Sequence, residues 1–118
     1  MKKHVVDYGL GMLAIVGLLM FGAWGTAAWA EENPHVAKAI AHAEGAVEHG
    51  EKGHADALVE HASEALTHAQ EAQKDMKNPH LDEGVHELME AVEHGNQGHA
   101  EEGTKHAKSA VMHLKEVK

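Results

Sequence analysis

Histidine is the residue through which this chain could do chemistry. Of its 13 histidines, all but His4 lie after residue 30. They stand first at His35, His42 and His49, then at His54, His61 and His68, every seventh position within each run. Seven residues of α-helix fall roughly 20° short of two turns, so each run presents one nearly straight stripe of imidazoles, successive rings roughly 10.5 Å apart along the axis. Neutral imidazole is the commonest metal-binding side chain. A lone histidine on a helix edge is more often a polar surface residue, but a repeated ladder of them points to metal binding. The second functional reading is a pH-responsive helical scaffold without a dedicated metal role, because many groups with a reference pKa of about 6.5 gain positive charge together between pH 7 and 5.

Folding the first two runs back on each other gives three rungs: His49 with His54, His42 with His61, and His35 with His68. A second set follows, with His94 opposite His99 and His80 opposite His113. Its middle rung departs from the pattern. His106 faces Glu87, and the nearest histidine, His86, sits one residue earlier, so that site is either rearranged or mixed imidazole and carboxylate. Every histidine named so far except His4 is a candidate metal ligand. Carboxylates lie within helical reach of several rings: Glu64 and Glu71 beside His68, Glu102 near His106, Glu116 near His113, Glu90 near His94, and Asp82 and Glu90 on either side of His86. They are ligands or acceptors for the second ring nitrogen. Met76, Met89 and Met112 are available as soft ligands, but their first reading is core or surface filler.

The chain has no cysteine, which removes disulfides, thiolate zinc sites, iron-sulfur clusters and c-type haem attachment. Imidazole with carboxylate suits Cu(II), Ni(II) and Zn(II), and the Irving-Williams order makes copper the first expectation, with nickel or zinc behind it. A formal net charge of -9 argues against nucleic acid as a partner. An enzyme of the di-iron bundle type needs inward glutamates and Glu-x-x-His pairs on opposing helices. Glu83-Gly84-Val85-His86 has that spacing, but the matching glutamates are missing. The expectation is a binder with no catalytic residues.

The elements that must position the ladder are legible as a duplication. Asn33-Pro34-His35 returns as Asn78-Pro79-His80, and the same offset carries Glu48-His49-Gly50 and Gly53-His54-Ala55 onto Glu93-His94-Gly95 and Gly98-His99-Ala100. Asn before Pro starts a helix, and Gly50 or Gly95 suits a left-handed C-terminal cap. The short connections Gly50 to Gly53 and Gly95 to Gly98 make consecutive helices antiparallel neighbours, the second helix running from about Gly53 to Met76. Apolar spacing predicts seams at Val36, Ile40, Ala43 and Val47; at Leu58, Ala62, Ala65 and Ala69; at Leu81, Val85, Leu88 and Val92; and at Gly103, Ala107, Ala110 and Leu114. Taking Ile40 as heptad position a puts His42 at c; taking Ala62 as a puts His61 at g. The fold class is therefore all-α, an antiparallel four-helix bundle of two duplicated hairpins, with repeats over 33–77 and 78–118. Glycines 45, 84 and 103 fall inside helices, where each costs roughly 1 kcal/mol relative to Ala; close packing would explain Gly103.

Residues 1–30 read as a signal peptide: Lys2 and Lys3, an apolar run from Tyr8 to Gly25, and Ala28-Trp29-Ala30 as the cleavage pattern. The domain is then 31–118, periplasmic, free of the membrane and monomeric. Tyr8, Phe21, Trp24 and Trp29 are all the aromatic residues of the chain, so the exported core is built from Ala, Val, Leu, Ile and Met and is marginally stable on its own.

These features resemble the small metal-binding protein family (SmbP). The likeness rests on the seven-residue histidine spacing, the duplicated Asn-Pro-His starts, the His-Gly-x-x-Gly-His turns and the leader. It implies an exported four-helix bundle that binds copper and other divalent metals, in copper tolerance or supply, through the histidines after residue 30. The intact mass of the exported protein is expected to lack Met1 to Ala30; a mass that includes them would show an uncleaved anchor instead.

Overall fold

A computed structural model describes residues 33–118, and the leader expected over 1–30 lies outside them. Among the described residues there are four helices and no strand: α1 Pro34–Glu51, α2 Ala55–Asp75, α3 Pro79–Asn96 and α4 Ala100–Lys115. Both Asn-Pro starts form as expected. The Asn33 side chain accepts from the His35 N–H at 2.8 Å, and Asn78 accepts from His80 at 2.8 Å and Leu81 at 3.3 Å, satisfying amides that the first turn leaves without partners. Each helix packs on its neighbours in sequence, and α4 returns to α1. The result is the antiparallel four-helix bundle expected.

The turns differ from expectation in one residue that matters. Gly50 and Gly95 are not left-handed caps; both are buried inside their helices. The positive φ falls instead at Gly53 (77°) and Gly98 (80°). The His54 N–H bonds to the His49 carbonyl at 3.0 Å and the Gly53 N–H to the Gly50 carbonyl at 2.9 Å, the paired bonds of a Schellman motif. His99 to His94 and Gly98 to Gly95 repeat them at 2.9 and 3.0 Å. Gly50 and Gly95 are glycine for lack of room. A Cβ on Gly50 would collide with Thr104 and Leu58, and one on Gly95 with Val59 and Leu58.

The core follows the expected seams on α2 and α4; on α3 Val92 is only partly buried while Gly84 and Ala91 face inward, and the larger departure is on α1. There the buried residues are Val36, Ala39, Ala43, Ala46 and Gly50, while Ile40 and Val47 are only partly buried. Small side chains face inward because the helices approach closely. A Cβ on Gly103 would sit 3.2 Å from the Ala91 carbonyl and from Leu58, and one on Gly84 2.8 Å from Leu114. This observed seam makes Val36, Ala43 and Gly50 position a, and moves His42 from the expected c to g. All four helices then share one plan. Position e carries Ile40 and Val47, Val59 and Leu66, Val85 and Val92, and Val111, which pack against the core. These flanks join α2 to α3 and α1 to α4, where Lys108 meets Glu51 and Lys115 meets Glu44, both at 2.7 Å, and Gln73 meets Asp82 at 2.8 Å. Position g carries histidine everywhere except at Glu87 on α3.

Leu58 is fully buried, and a Cβ on Gly50, Gly95 or Gly103 would run into it. Leu58→Ala is expected to lower stability by about 2–5 kcal/mol in urea unfolding followed by far-UV circular dichroism. A loss under about 1 kcal/mol would mean the packing around Leu58 is loose.

Candidate metal centre

Two flanks of the bundle are lined by position g. In the first hairpin these positions are His35, His42 and His49 on α1 and His54, His61 and His68 on α2. The three expected rungs are present, with ring centroids 5.8 Å apart for His35 and His68, 6.0 Å for His42 and His61, and 6.2 Å for His49 and His54. Diagonal pairs that the spacing did not predict are closer still and nearly parallel: His42 with His68 at 5.6 Å and 11°, and His49 with His61 at 5.0 Å and 12°. The rungs therefore merge into one column that alternates between helices, in the order His35, His68, His42, His61, His49, His54.

The cause is the direction of the side chains. Cα–Cβ bonds tilt toward a helix's own N-terminus. On α1 that is away from the turn, and on α2 it is toward the turn. Each α1 ring thus slides out to meet the α2 ring of the next rung. The ring of His61 comes to lie against α1 itself, where a Cβ on Gly45 would be 2.9 Å from its Nδ1. That contact accounts for a glycine that helix propensity alone disfavours.

In the second hairpin the g positions are His80, Glu87 and His94 on α3 and His99, His106 and His113 on α4. His80 and His113 pair at 5.8 Å with their Nδ1 atoms 3.5 Å apart, and His94 and His99 pair at 6.1 Å. The diagonal appears again, with His94 and His106 at 5.2 Å and 8°. The middle rung is mixed: His106 Nδ1 lies 2.7 Å from Glu87 Oε2. His86 is exposed at position f and stays outside the column. Glu90, His94 and His106, all partly buried, place one ligand atom each within 4.8 Å of one another. This trio escaped the rung pairing because it uses a diagonal pair. Its signal was present in Glu90 standing one turn before His94.

The carboxylates divide into those that face the columns and those that do not. Glu64, expected beside His68, reaches across the hairpin to His42 Nε2 at 3.3 Å. Glu71 and Glu102 turn instead to Lys74 at 2.8 Å and Lys105 at 3.0 Å. Hydrogen bonding to those lysines lowers both carboxyl pKa values from the ordinary glutamate value. Met89 and Met112 are 52% and 64% exposed, and Met76 packs on the core.

Five ring nitrogens, Nδ1 of His35, His49, His61, His68 and His94, are buried and find no hydrogen-bond partner in the protein. A buried polar atom left this way costs about 1–3 kcal/mol. Ring spacing suits an ion. Metal–nitrogen bonds of about 2.0–2.1 Å, added to roughly 1.1 Å from ring centre to nitrogen, put two imidazoles that share an ion roughly 5–6 Å apart. The rungs, at 5.8 to 6.2 Å, fall close to that range, whereas the nearly parallel diagonal rings must turn before their in-plane lone pairs can meet one ion.

A family model described as small metal-binding protein matches residues 10–117. No curated protein matches the chain.

The His68 pKa is lowered, first by burial and then by the nearby charges of His42, Lys38 and His35, with Glu64 opposing. A base with a lowered folded pKa is held neutral by folding. Its contribution to stability is complete above the ordinary histidine value of about 6.5 and is lost as pH falls through the lowered one. Thermal melts of the metal-free protein are therefore expected to rise from pH 5 to pH 7, with a shallower rise in His68→Gln. Identical slopes for the two proteins would rule out His68 as a source.

Proposed function

The chain belongs to the small metal-binding protein family, and from that premise we propose that it is an exported, periplasmic binder and buffer of divalent transition metals. Cu(II) is the first of these, with Ni(II) and Zn(II) next. The observation that carries the reading is the pair of imidazole columns in which buried ring nitrogens lack a protein partner. Oxygen and imidazole donors without thiolate suit these three ions, and copper leads them at a site with no imposed geometry. The leader pattern in residues 1–30 supports export, and we assign the role to metal tolerance or supply.

The columns are open flanks shared between neighbours. His42 lies between His61 and His68, and His49 between His54 and His61. An ion held by one pair has a second pair within reach through a common ring. Such sites suit moderate affinity and exchange, which is what a buffer needs. We further propose that the protein acts as a monomer and turns over no substrate. Among the described residues the buried side chains are apolar apart from Thr104, so the interior offers no carboxylate set for a catalytic metal pair.

Binding is expected to be coupled to stability, because each ion supplies partners for buried nitrogens and ties two helices together. Native mass spectrometry of metal-free protein titrated with Cu(II) should show more than one ion per chain. The same titration should stabilise the fold by about 2.7 kcal/mol per site once free ion is roughly 100 times its Kd. Both effects should fade below about pH 6 as imidazoles protonate. A melt that Cu(II) leaves unchanged at neutral pH would sink the coupling, and no more than one bound ion would sink the column as the binding element.

A further inference from the structure

We propose that the two hairpins hold different kinds of site, and that Glu90, His94 and His106 form a discrete three-ligand centre for one zinc-type ion, Zn(II) or Co(II), absent from the first hairpin. The proposal rests on the metal-binding reading and adds to it a ligand set and an ion class. Four observations carry it. The three side chains are partly buried and their ligand atoms already lie within 4.8 Å of one another. His94 Nδ1 is buried without a protein partner. His106 Nδ1 lies 2.7 Å from Glu87, and the two side chains are only 30% and 19% exposed. A carboxylate that holds one imidazole nitrogen fixes the tautomer and leaves the other as a lone-pair donor, the outer partner that ligating histidines have in metal sites. Glu87 therefore positions His106 while Glu90 is free to ligate.

The fourth observation is the contrast between the hairpins. At the positions of Glu90 and Glu87 the first hairpin has Gly45 and His42. A side chain cannot enter there without displacing His61, whose Nδ1 would be 2.9 Å from a Cβ on Gly45. The first column is thus confined to imidazole around its closest pair, His49 and His61. In the second hairpin a carboxylate stands in the space that the other leaves to a ring.

Two imidazoles and one carboxylate with a further position open to solvent are a donor set that Zn(II) accepts, because the ion takes N and O ligands at about 2.0–2.2 Å and imposes no geometry through its d-electrons. Cu(II) favours a tetragonal arrangement, and the imidazole column can adapt to it by choosing among rings. Added without Cu(II), Zn(II) should then fill the mixed centre before it enters the imidazole columns.

The test uses metal-free protein, titrated with Zn(II) and with Co(II) as a spectroscopic probe, with Cu(II) uptake measured in parallel. Wild type should show one Co(II) with the visible bands of low coordination number, displaced by one equivalent of Zn(II). Glu87→Ala should weaken the first Zn(II) by about 10–100-fold, as loss of an outer partner does, and Glu90→Ala by more than that. Glu60→Gln, an equal change of charge on an exposed residue of α2, should leave both signals unchanged. Circular dichroism shows whether each variant keeps its helices. If Glu90→Ala is folded and still binds the first Zn(II) as tightly with the same Co(II) bands, the mixed centre is overturned while Cu(II) uptake still stands. If wild type takes up none of the three ions, the metal-binding reading fails with it.

Discussion

One turn registers each hairpin. In the Schellman arrangement the His54 N–H reaches back to the His49 carbonyl, and the residues that make this bond, C3 and C″, are the pair whose side chains such a turn brings together. An apolar contact usually fills that place; here it is two imidazoles, 6.2 Å apart. From there, seven residues back along α1 and seven forward along α2 cover the same axial rise, so the outer rungs follow without further specification. Gly53 supplies the positive φ that closes the turn, a conformation glycine adopts without steric penalty. His54 is also the N-cap of α2, yet its ring caps nothing. Ser or Asp there would add about 1 kcal/mol of capping. The residue type favours a free imidazole over that local stability.

The columns also dictate the core. Rings on facing g positions meet only if the helices approach closely, and on α1 that approach is secured by Ala39, Ala43, Ala46 and Gly50 facing inward. Small residues bury little apolar area, and hydrophobic stabilisation scales with that area. The largest fully buried side chains are four leucines, Leu58, Leu81, Leu88 and Leu114. The same approach buries ring nitrogens that the protein does not satisfy. Thin core and unpaired imidazoles are thus one consequence of one geometry, and both are terms an ion can offset. Position e holds the opposite requirement. Its branched apolar side chains join one hairpin to the other, so the flank that assembles the bundle is separate from the flank that offers ligands.

Helix count, hairpin pairing and the rungs were legible in the sequence because each depends on spacing along the chain alone. The parts that were not legible depend on direction and room. Choosing Ile40 and Val47 for the α1 seam follows hydrophobicity, whereas close packing selected Ala39 and Ala46, one residue away around the helix. That rotation carries His42 from c to g. Glycine at a helix end usually serves conformation, which makes Gly50 look like a cap in sequence, yet it serves space beneath Thr104 and Leu58. The diagonal pairs do not follow from spacing between backbone positions, because rings are displaced along the helix by their Cβ direction. The mixed rung at Glu87 and His106 was anticipated as one of two outcomes, and the heptad register decides between them: Glu87 stands at g and His86 at f.

The irregular rung is best understood through the duplication from which it departs. If both hairpins served only to accumulate imidazole, Glu87 at the counterpart of His42 would be a missing ligand. Yet a second difference uses the same space, Glu90 where the first hairpin has Gly45. Glu87 engages His106, and Glu90 joins His94 and His106 across the diagonal. Meanwhile the closest diagonal ring pairs of the two hairpins remain nearly alike, 5.0 Å for His49 and His61 and 5.2 Å for His94 and His106. The scaffold that sets ring spacing is therefore common to both, and the donor atoms around it are what differ. A carboxylate beside that ring pair brings negative charge to a divalent ion and an acceptor to its ligand, so the two hairpins present different coordination chemistry on the same backbone.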